Sequence, residues 1–571
     1  MSAVWAPGAG SVEAVVGGAS VGMERGEGGW WHLAGEELRP GTRYAFCLDG
    51  ADPLPDPRSR HQPEGVHGAS AAVGPFHWSD EGWRGVHLSS AVIYELHIGT
   101  FSPAGTFAGA IERLDHLVDL GVDVVEIMPV AEFPGRRGWG YDGVDLYAPH
   151  HGYGGPQGLA ALVDACHARG LGVVLDVVYN HLGPAGNYLD RFGPYFTDRY
   201  ATPWGRAVNF DGPGSDEVRR FFVDNACMWL TEYHVDGLRL DAVHAIVDTS
   251  ARHILEDLAE AVHEVADATG RARFAIAESD LNDPRLVRPT DVGGHGLDAA
   301  WSDDFHHGLH VALTGERSGY YGDFEGLADV AAALTGGWVY RGQPSRHRGR
   351  RHGRPYAPLA GSRLVGYLQN HDQVGNRAAG ERISALTSLE RVKVGAALVL
   401  TSPFVPLLFQ GEEWAASTPF QYFTDHDPEL GRAVSEGRRS EFAAFGWRPE
   451  EVPDPQDPDT FARSVLDWTE RDRAPHAGML EWYRRLIDLR RRTPALLDGR
   501  LDRVRAEVDR AAGTLVVTRG PVTVAANLGP APARLAVEPA EVVLASADGV
   551  GRCDDGRAVL VPPDSVAVLR R

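Results

Sequence analysis

Through the middle of the chain, from about residue 90 to 490, short apolar runs alternate with stretches of helical spacing. AVIYELHI leads into an amphipathic pattern near FAGAIERLDHLVDLG, VDVVEIMPV into one near LAALVDACHARG, and GVVLDVVYN into a helix over about 216–234. The rhythm continues with GLRLDAV, a helix over 250–268, RFAIAES, AAWSDDF, RLVGYLQN, a helix over about 388–400 and PLLFQGEEW. Strands that are apolar on both faces belong to a parallel sheet covered by helices. Eight such βα repeats predict a closed (β/α)8 barrel, the α/β architecture also called a TIM barrel. An open doubly wound sheet is the alternative, but no GxGxxG follows any strand. The nearest approach, HGYGGPQG, has Gln157 where the third glycine would stand.

The two ends of the chain are patterned differently. Residues 1–88 are rich in Gly, Trp and Pro with short alternating runs such as TRYAFCLDG, which predicts an N-terminal β-sandwich module. Residues 499–571 carry alternating Val- and Ala-rich segments such as TLVVTRG and PVTVAANLG, which predicts a C-terminal β-domain and leaves 89–498 for the barrel. The longest apolar run, VGAALVLTSPFVPLLF, is broken by Pro403 and Pro406 and reads as a buried helix, a turn and a strand, too short to span a bilayer.

Composition narrows the class. The 571 residues hold 55 Lys and Arg against 78 Asp and Glu, a net charge of −23 that disfavours nucleic acid and anionic membranes as partners and suits a neutral substrate. In so acidic a chain, the arginines of YRGQPSRHRGRRHGRPY read as a solvated or substrate-covering loop. Four cysteines without a CxxC pair indicate neither a zinc ribbon nor a disulfide framework, and MSAVWAPGAG has no basic segment followed by an apolar run. Reduced thiols in a cytoplasmic protein are the expectation.

One strand carries two charges that alternate with leucines. In GLRLDAVH, residues 237–244, Arg239 and Asp241 share one face while Leu238 and Leu240 share the other. Barrel enzymes hold their chemistry at the C-terminal ends of the strands. Polar residues gather at those ends here: Asp176, Asn180 and His181; Arg239, Asp241 and His244; Glu278; Asp303, Asp304, His306 and His307; His371 and Asp372. Any one carboxylate could be a helix cap or an ion-pair partner. Asp241, Glu278 and Asp372 come from three different strands and converge on one mouth, which favours chemistry over three separate structural roles. His306, His307 and His310 lack a zinc-site spacing, and no metal or cofactor is expected. Trp139, Trp204 and Trp301 fit either core or sugar-ring platforms. Carboxylates working without a metal suit glycosidic bond cleavage. Asp241 beside Arg239 is placed as an ionised nucleophile, Glu278 after the apolar FAIA as a desolvated acid, and Asp372 as a third group favouring a cationic transition state.

DVVYNH, GLRLDAVH, AES and QNHDQ resemble, in order and spacing, the four signature regions of the α-amylase family of glycoside hydrolases, family 13. The resemblance implies that Asp241 is the nucleophile, Glu278 the acid/base and Asp372 the transition-state stabiliser. It also implies that Tyr141, His181, Arg239 and His371 hold the sugar next to the scissile bond. VWAPGAGSVEAVV is similar to the start of the carbohydrate-binding-like module of branching and debranching members. Longer stretches, among them IMPVAEFPGRRGWGYDGVDLYAP, WSDDFHHGLH and YLQNHDQVGNRAAGER, resemble the members that cut the α-1,4 bond next to the trehalose end of maltooligosyltrehalose. That comparison adds His244, Asp303, Asp304, Phe305, His306, His307, Gln373 and Asn376 as groove-lining residues, and implies a companion malto-oligosyltrehalose synthase as functional partner. A 1,4-α-glucan branching enzyme or a glycogen-debranching enzyme would use the same three carboxylates, so both remain open. A catalytically inactive glycan-binding barrel should have lost one of the three, and none is lost.

Overall fold

The structure is a computed structural model. It describes residues 3–35, 38–444, 448, 452–554 and 557–571, with no side-chain account of 441–444. Eight parallel strands close a barrel: β1 (Ile93–Leu96), β2 (Val124–Ile127), β3 (Gly172–Val177), β4 (Gly237–Leu240), β5 (Phe274–Ala277), β6 (Ala299–Trp301), β7 (Leu364–Tyr367) and β8 (Val405–Phe409). The eight apolar runs of the sequence supply them. Each run is short and fully buried, with helices such as Gly155–His167, Ser215–Thr231 and Ile254–Thr269 outside. The predicted helix near 107–121 is interrupted, forming Phe107–Ile111 and Leu114–Leu120; Gly121 in the left-handed region ends the second.

Strand alternation sorts the barrel's interior into two levels. Ile93, Val124, Val174, Ile276, Val365 and Leu407 belong to one buried apolar cluster within it. Nearer the C-terminal ends the interior becomes ionic. Register sets Glu95 opposite Glu126 and Asp176 opposite Arg239, and all four are at most 3% exposed. Leu238 and Leu240 belong to the main core instead, as the alternation of GLRL requires.

Residues Ala3–Trp5, Trp30–His32 and Glu24–Arg25 form one N-terminal sheet. A four-stranded sheet of Ala19–Gly22, Val12–Val16, Arg43–Leu48 and Ser70–Ala71 forms the other. The segment that follows is fastened to the barrel by buried polar contacts. Trp83 Nε1 donates to Asp236 Oδ1 at 2.8 Å, and Asp80 takes His167 at 2.8 Å and Arg271 at 2.9 Å. At the other end, a five-stranded sheet (Val504–Asp509, Thr514–Arg519, Val522–Asn527, Ser565–Arg570, Glu541–Ala545) packs beside a three-stranded one. Two buried arginines join this end to the turn that precedes β8. Arg490, from the helix His476–Arg492, donates to the carbonyls of Leu400, Ser402 and Phe404 at 2.7–3.0 Å. Arg519 donates to those of Thr401 and Ser402 at 2.6 and 2.7 Å. The carbonyls left open where the helix Leu389–Leu400 ends thus find donors in a distant part of the chain.

Candidate active site

Arg239 organises the mouth of the barrel. Its Nη1 donates to Asp176 Oδ1 and Oδ2 at 2.9 and 2.8 Å and to Asp241 Oδ1 at 2.7 Å, while Nη2 lies 3.8 Å from Glu278 Oε2. The guanidinium carbon stands 4.3 Å from the centre of the Trp301 ring. One cation therefore touches side chains from β3 and β6 and the residues that follow β4 and β5. A charge so deeply buried persists only with partners of this kind. Asn180 completes the setting of Asp241, its Nδ2 donating to Asp241 Oδ2 at 2.7 Å and to the Asp241 carbonyl at 2.9 Å.

Immediately after Asp241 the chain turns sharply. Ala242 has φ +39°, a left-handed conformation that costs a non-glycine residue about 1–3 kcal/mol. That turn aims the Ala242 N–H at Glu278 Oε2, 2.5 Å away, and binds the end of β4 to the end of β5. Burial pushes the Glu278 carboxyl well above the usual range. Arg239 opposes this rise, and the charges of Asp241, Asp372 and Asp303 add to it. A carboxylic acid whose hold on its proton is strengthened by burial, beside an arginine-paired carboxylate, can donate that proton while its neighbour attacks.

The third carboxylate comes from the far side. Asp372 lies in the short helix His371–Gly375 after β7, capped by Asn370, and Asn376 Nδ2 donates to its Oδ1 at 3.1 Å. The His371 ring reaches Glu95 Oε1 at 2.5 Å through Nδ1 and Tyr141 Oη at 2.7 Å through Nε2; Tyr141 in turn donates to Asp176 Oδ2 at 2.7 Å. Tyr141 is placed by Gly140, at φ +97°, where a Cβ would fall 2.1 Å from the Pro129 carbonyl oxygen. Burial works against charge on His371, but Asp372 and Glu95 outweigh it and raise the imidazole to about 9. The folded protein thus holds this proton more tightly than an unfolded histidine, whose pKa is about 6.5, so the associated stability is complete below that pH and vanishes as pH rises through about 9. Denaturant unfolding at about pH 6 and about pH 10 is expected to show the native protein losing roughly 3 kcal/mol more than a His371→Gln variant. Equal losses would mean that His371 carries no such proton.

A cleft of about 380 Å³ opens over these groups, walled by Tyr141, His181, Asp241, Glu278 and Asp372, with His244 and Asn376 at its edge and Trp139, Trp204 and Tyr422 as aromatic walls. His181 stacks on Trp204 at 4.6 Å and nearly parallel, leaving Trp204 48% exposed above the cleft. Burial lowers the His181 pKa, and its ring nitrogens lie 2.5 Å from Asn180 Oδ1 and 3.0 Å from the Tyr141 carbonyl.

The WSDDFHH stretch departs from expectation. Only Trp301 ends β6; Asp303 to His307 are the first turns of the helix Asp303–Thr314, so their side chains fan around an axis instead of lining one edge. Asp303 accepts a hydrogen bond from Tyr367 Oη, and burial pushes it up to about 7. Asp304, Phe305, His306 and His307 are not among the residues that wall the cleft. Phe305 is fully buried against Phe404, Asp304 accepts the backbone N–H groups of Val339 and Tyr340, and His306 bonds the Leu368 carbonyl. His307 packs between Tyr320 and Phe324. Gln373 lies in the same short helix as Asp372, with its Oε1 buried.

Glu95 and Tyr367 were not singled out from the sequence, and Asp176 and Asn180 were named only as polar residues at a strand end. Asn180 is a direct donor to Asp241, Asp176 and Glu95 anchor Arg239 and His371, and Tyr367 holds Asp303. Glu95 had a readable signal, a lone acid in an otherwise apolar strand. Among the described residues one group of three offers metal-type ligand atoms within 4.8 Å, namely Glu132, His150 and His151. Glu132 already accepts from both Nδ1 atoms, at 3.1 and 2.7 Å, so these atoms are satisfied as an ion-pair cluster. No described helix is long and apolar enough to cross a membrane.

A closed parallel barrel with three carboxylates around one cleft, one paired to a buried arginine and one whose pKa burial raises, defines a glycoside hydrolase of the α-amylase type. Residues 74–200 match the α-amylase family model, described as the alpha amylase catalytic domain. The chain is 53% identical to the malto-oligosyltrehalose trehalohydrolase of Arthrobacter ramosus, with 93% of each chain aligned. It is 49% identical to that of a Rhizobium species over 99% of this chain and 97% of the relative. The crystal structure of an α-amylase-like protein from Salmonella typhimurium superposes with a TM-score of 0.91 at 40% identity, covering all of this chain and 97% of that one. The chain belongs to the malto-oligosyltrehalose trehalohydrolase family.

Proposed function

We propose that this enzyme hydrolyses the α-1,4-glucosidic bond next to the terminal trehalose unit of maltooligosyltrehalose and releases trehalose by retaining double displacement. The observation that carries the chemistry is the shared guanidinium of Arg239, which donates to Asp241 at 2.7 Å, while burial beside it pushes the Glu278 carboxyl well above the usual range. Asp241 attacks the anomeric carbon as the bond to the leaving oxygen breaks, and Glu278 gives that oxygen its proton, so trehalose departs neutral. Water then attacks the glycosyl ester, its proton passes to Glu278, and Asp241 is freed as carboxylate. Asp372 faces the positive charge that develops on the ring. Tyr141 and His181 wall the cleft and hold the sugar at the point of cleavage, with His244 and Asn376 lining the same cleft, while the buried Arg239 and His371 position Asp241 and Tyr141 behind them.

The likeness to trehalohydrolases along nearly the whole chain supports trehalose as the leaving unit and argues against the branching and debranching alternatives. The substrate must come from an enzyme that converts the reducing end of a maltooligosaccharide into an α,α-1,1 linkage, which makes malto-oligosyltrehalose synthase the functional partner. Four free cysteines support a reducing, cytoplasmic setting. Incubation with maltotriosyltrehalose, maltopentaose and a branched glucan, followed by chromatography, is expected to yield trehalose and maltotriose rapidly from the first and little from the others. New α-1,6 branches or debranched chains without trehalose would overturn the assignment and leave the barrel chemistry standing.

A further inference from the structure

Between Arg43–Leu48 and Ser70–Ala71, the four-stranded N-terminal sheet sends out an Ω-shaped loop that the chemistry described so far does not use. Its neck is closed where the Asp56 N–H donates to Ser70 Oγ at 3.0 Å and the Ala71 N–H to the His61 carbonyl at 2.9 Å. Inside, the buried Gln62 accepts from Ser59 Oγ at 2.8 Å and donates to the Gly68 carbonyl at 3.2 Å, and its own carbonyl accepts the Gly65 N–H at 3.1 Å. Two arginines pin the base of the loop to the barrel's surroundings. Arg58 Nη1 donates to Asp224 Oδ2 at 2.8 Å and to Tyr147 Oη at 3.0 Å, and Arg60 forks onto Glu232 at 2.7 and 2.9 Å.

Loops run over the surface, and their tips are usually exposed. This one carries Val66, only 4% exposed, lodged between two segments of the barrel's mouth. A Cβ on Gly186, whose φ is +81°, would overlap Val66 and lie 3.3 Å from Val144 Cγ2, so the glycine makes room for the valine. The two segments also meet directly. Gly183 N–H donates to the Gly143 carbonyl at 3.2 Å, and a Cβ on Gly183 would overlap the Asp142 carbonyl. Tyr141 stands just before Val144 in one segment and His181 just before Gly183 in the other. These two wall the cleft, and His181 Nε2 lies 3.0 Å from the Tyr141 carbonyl. His67, beside Val66, extends the contact by reaching Tyr188 Oη at 2.7 Å through Nδ1.

A close-packed interior transmits strain, and surroundings fill a gap only in part when a side chain shrinks. With the loop braced at its neck and base, Val66 is held in place against the barrel, and the two segments take their spacing from it. Misplacing a substrate-positioning group by about 1 Å costs on the order of 100-fold in rate.

We propose that Val66 is a positioning residue: the N-terminal sheet wedges it behind Tyr141 and His181 and so sets the spacing at which they grip the sugar ring. This step rests on the reaction proposed above, and it gives the N-terminal sheet a part in that reaction without contact with the substrate. The test compares KM and kcat for maltotriosyltrehalose in the native enzyme, Val66→Ala, Val66→Thr and Val12→Ala. Alanine opens a gap at the wedge, and threonine keeps its shape at a cost in stability. Val12→Ala makes the same truncation at a buried position within the same sheet. KM is expected to rise about tenfold in Val66→Ala with kcat little changed, and to stay within about twofold of native in Val66→Thr and Val12→Ala. General loosening lowers the active fraction, and with it kcat, but not KM. A KM within about twofold of native in folded Val66→Ala overturns the inference, as does an equal rise in Val66→Thr or Val12→Ala. Should Val66→Ala fail to fold, Val144→Ala, which opens the same gap from the barrel side, is read by the same criteria. A native enzyme that releases no trehalose would defeat the underlying reaction instead, and the same comparison on the α-glucan it does cleave would still decide the wedge.

Discussion

Asp241→Asn is expected to lower kcat on maltotriosyltrehalose by on the order of 10⁴-fold or more, because an amide can neither form the glycosyl ester nor leave from it. Folding should be largely retained. Asparagine keeps an oxygen to accept from Arg239 Nη1, and the guanidinium still has both oxygens of Asp176. Turnover and thermal midpoint measured on the same preparation decide the matter. A loss of less than about tenfold would remove Asp241 from the nucleophile's role, since nucleophile deletions in hydrolases cost several orders of magnitude.

Arg239→Leu is expected to behave differently, losing stability as well as turnover. It leaves Asp176 and Asp241 facing each other without a cation, with Asp176 3% exposed. Breaking a buried pair by removing one partner costs about 3–5 kcal/mol. Stranded carboxylates take up protons more readily when folded than when unfolded, so the defect should shrink as pH falls and be largest above neutrality. Arg239→Lys should not repair it, because one ammonium cannot at once bind Asp176, bind Asp241 and lie flat against Trp301. Denaturant unfolding at about pH 5 and about pH 8 checks both sign and size; a deficit independent of pH would mean the carboxylates are not what the arginine satisfies.

The barrel was legible because each of its strands is a short, largely apolar run, and because the two charges of GLRLDAVH alternate with leucines at period two. Arg239 and Asp241 could then be placed on a common face, and they share a hydrogen bond. The stretch after β6 was less legible. AAW is only three residues long, and where a strand passes directly into a helix the alternation changes from every second residue to every third or fourth. Asp304, Phe305 and His306 were therefore expected in the groove and instead hold the Val339 and Tyr340 amides, the core and the Leu368 carbonyl just after β7. The antiparallel hairpin of Arg341–Ser345 and Arg350–Gly353 had no apolar alternation to reveal it, since Asp323 and Asp280 hold it from elsewhere in the chain. Asn180 shows a third kind of gap. A neutral amide carries no chemistry of its own, and its importance exists only once Asp241 is beside it.

The two arginines that reach the turn before β8 bear on how the protein is made. A ribosome that has just released Val405–Phe409 has supplied every strand of the barrel. It has yet to supply Arg490 on its helix and Arg519 on its sheet, the groups that tie down the carbonyls of 400–404. Until those segments emerge, β8 is held to β7 and β1 by strand pairing and shared apolar packing, without these two cations on the turn before it. Synthesis therefore runs ahead of consolidation. The barrel's strands are complete in sequence well before they are consolidated in structure, and a part of the chain translated later serves as the fastening for a wall laid down much earlier.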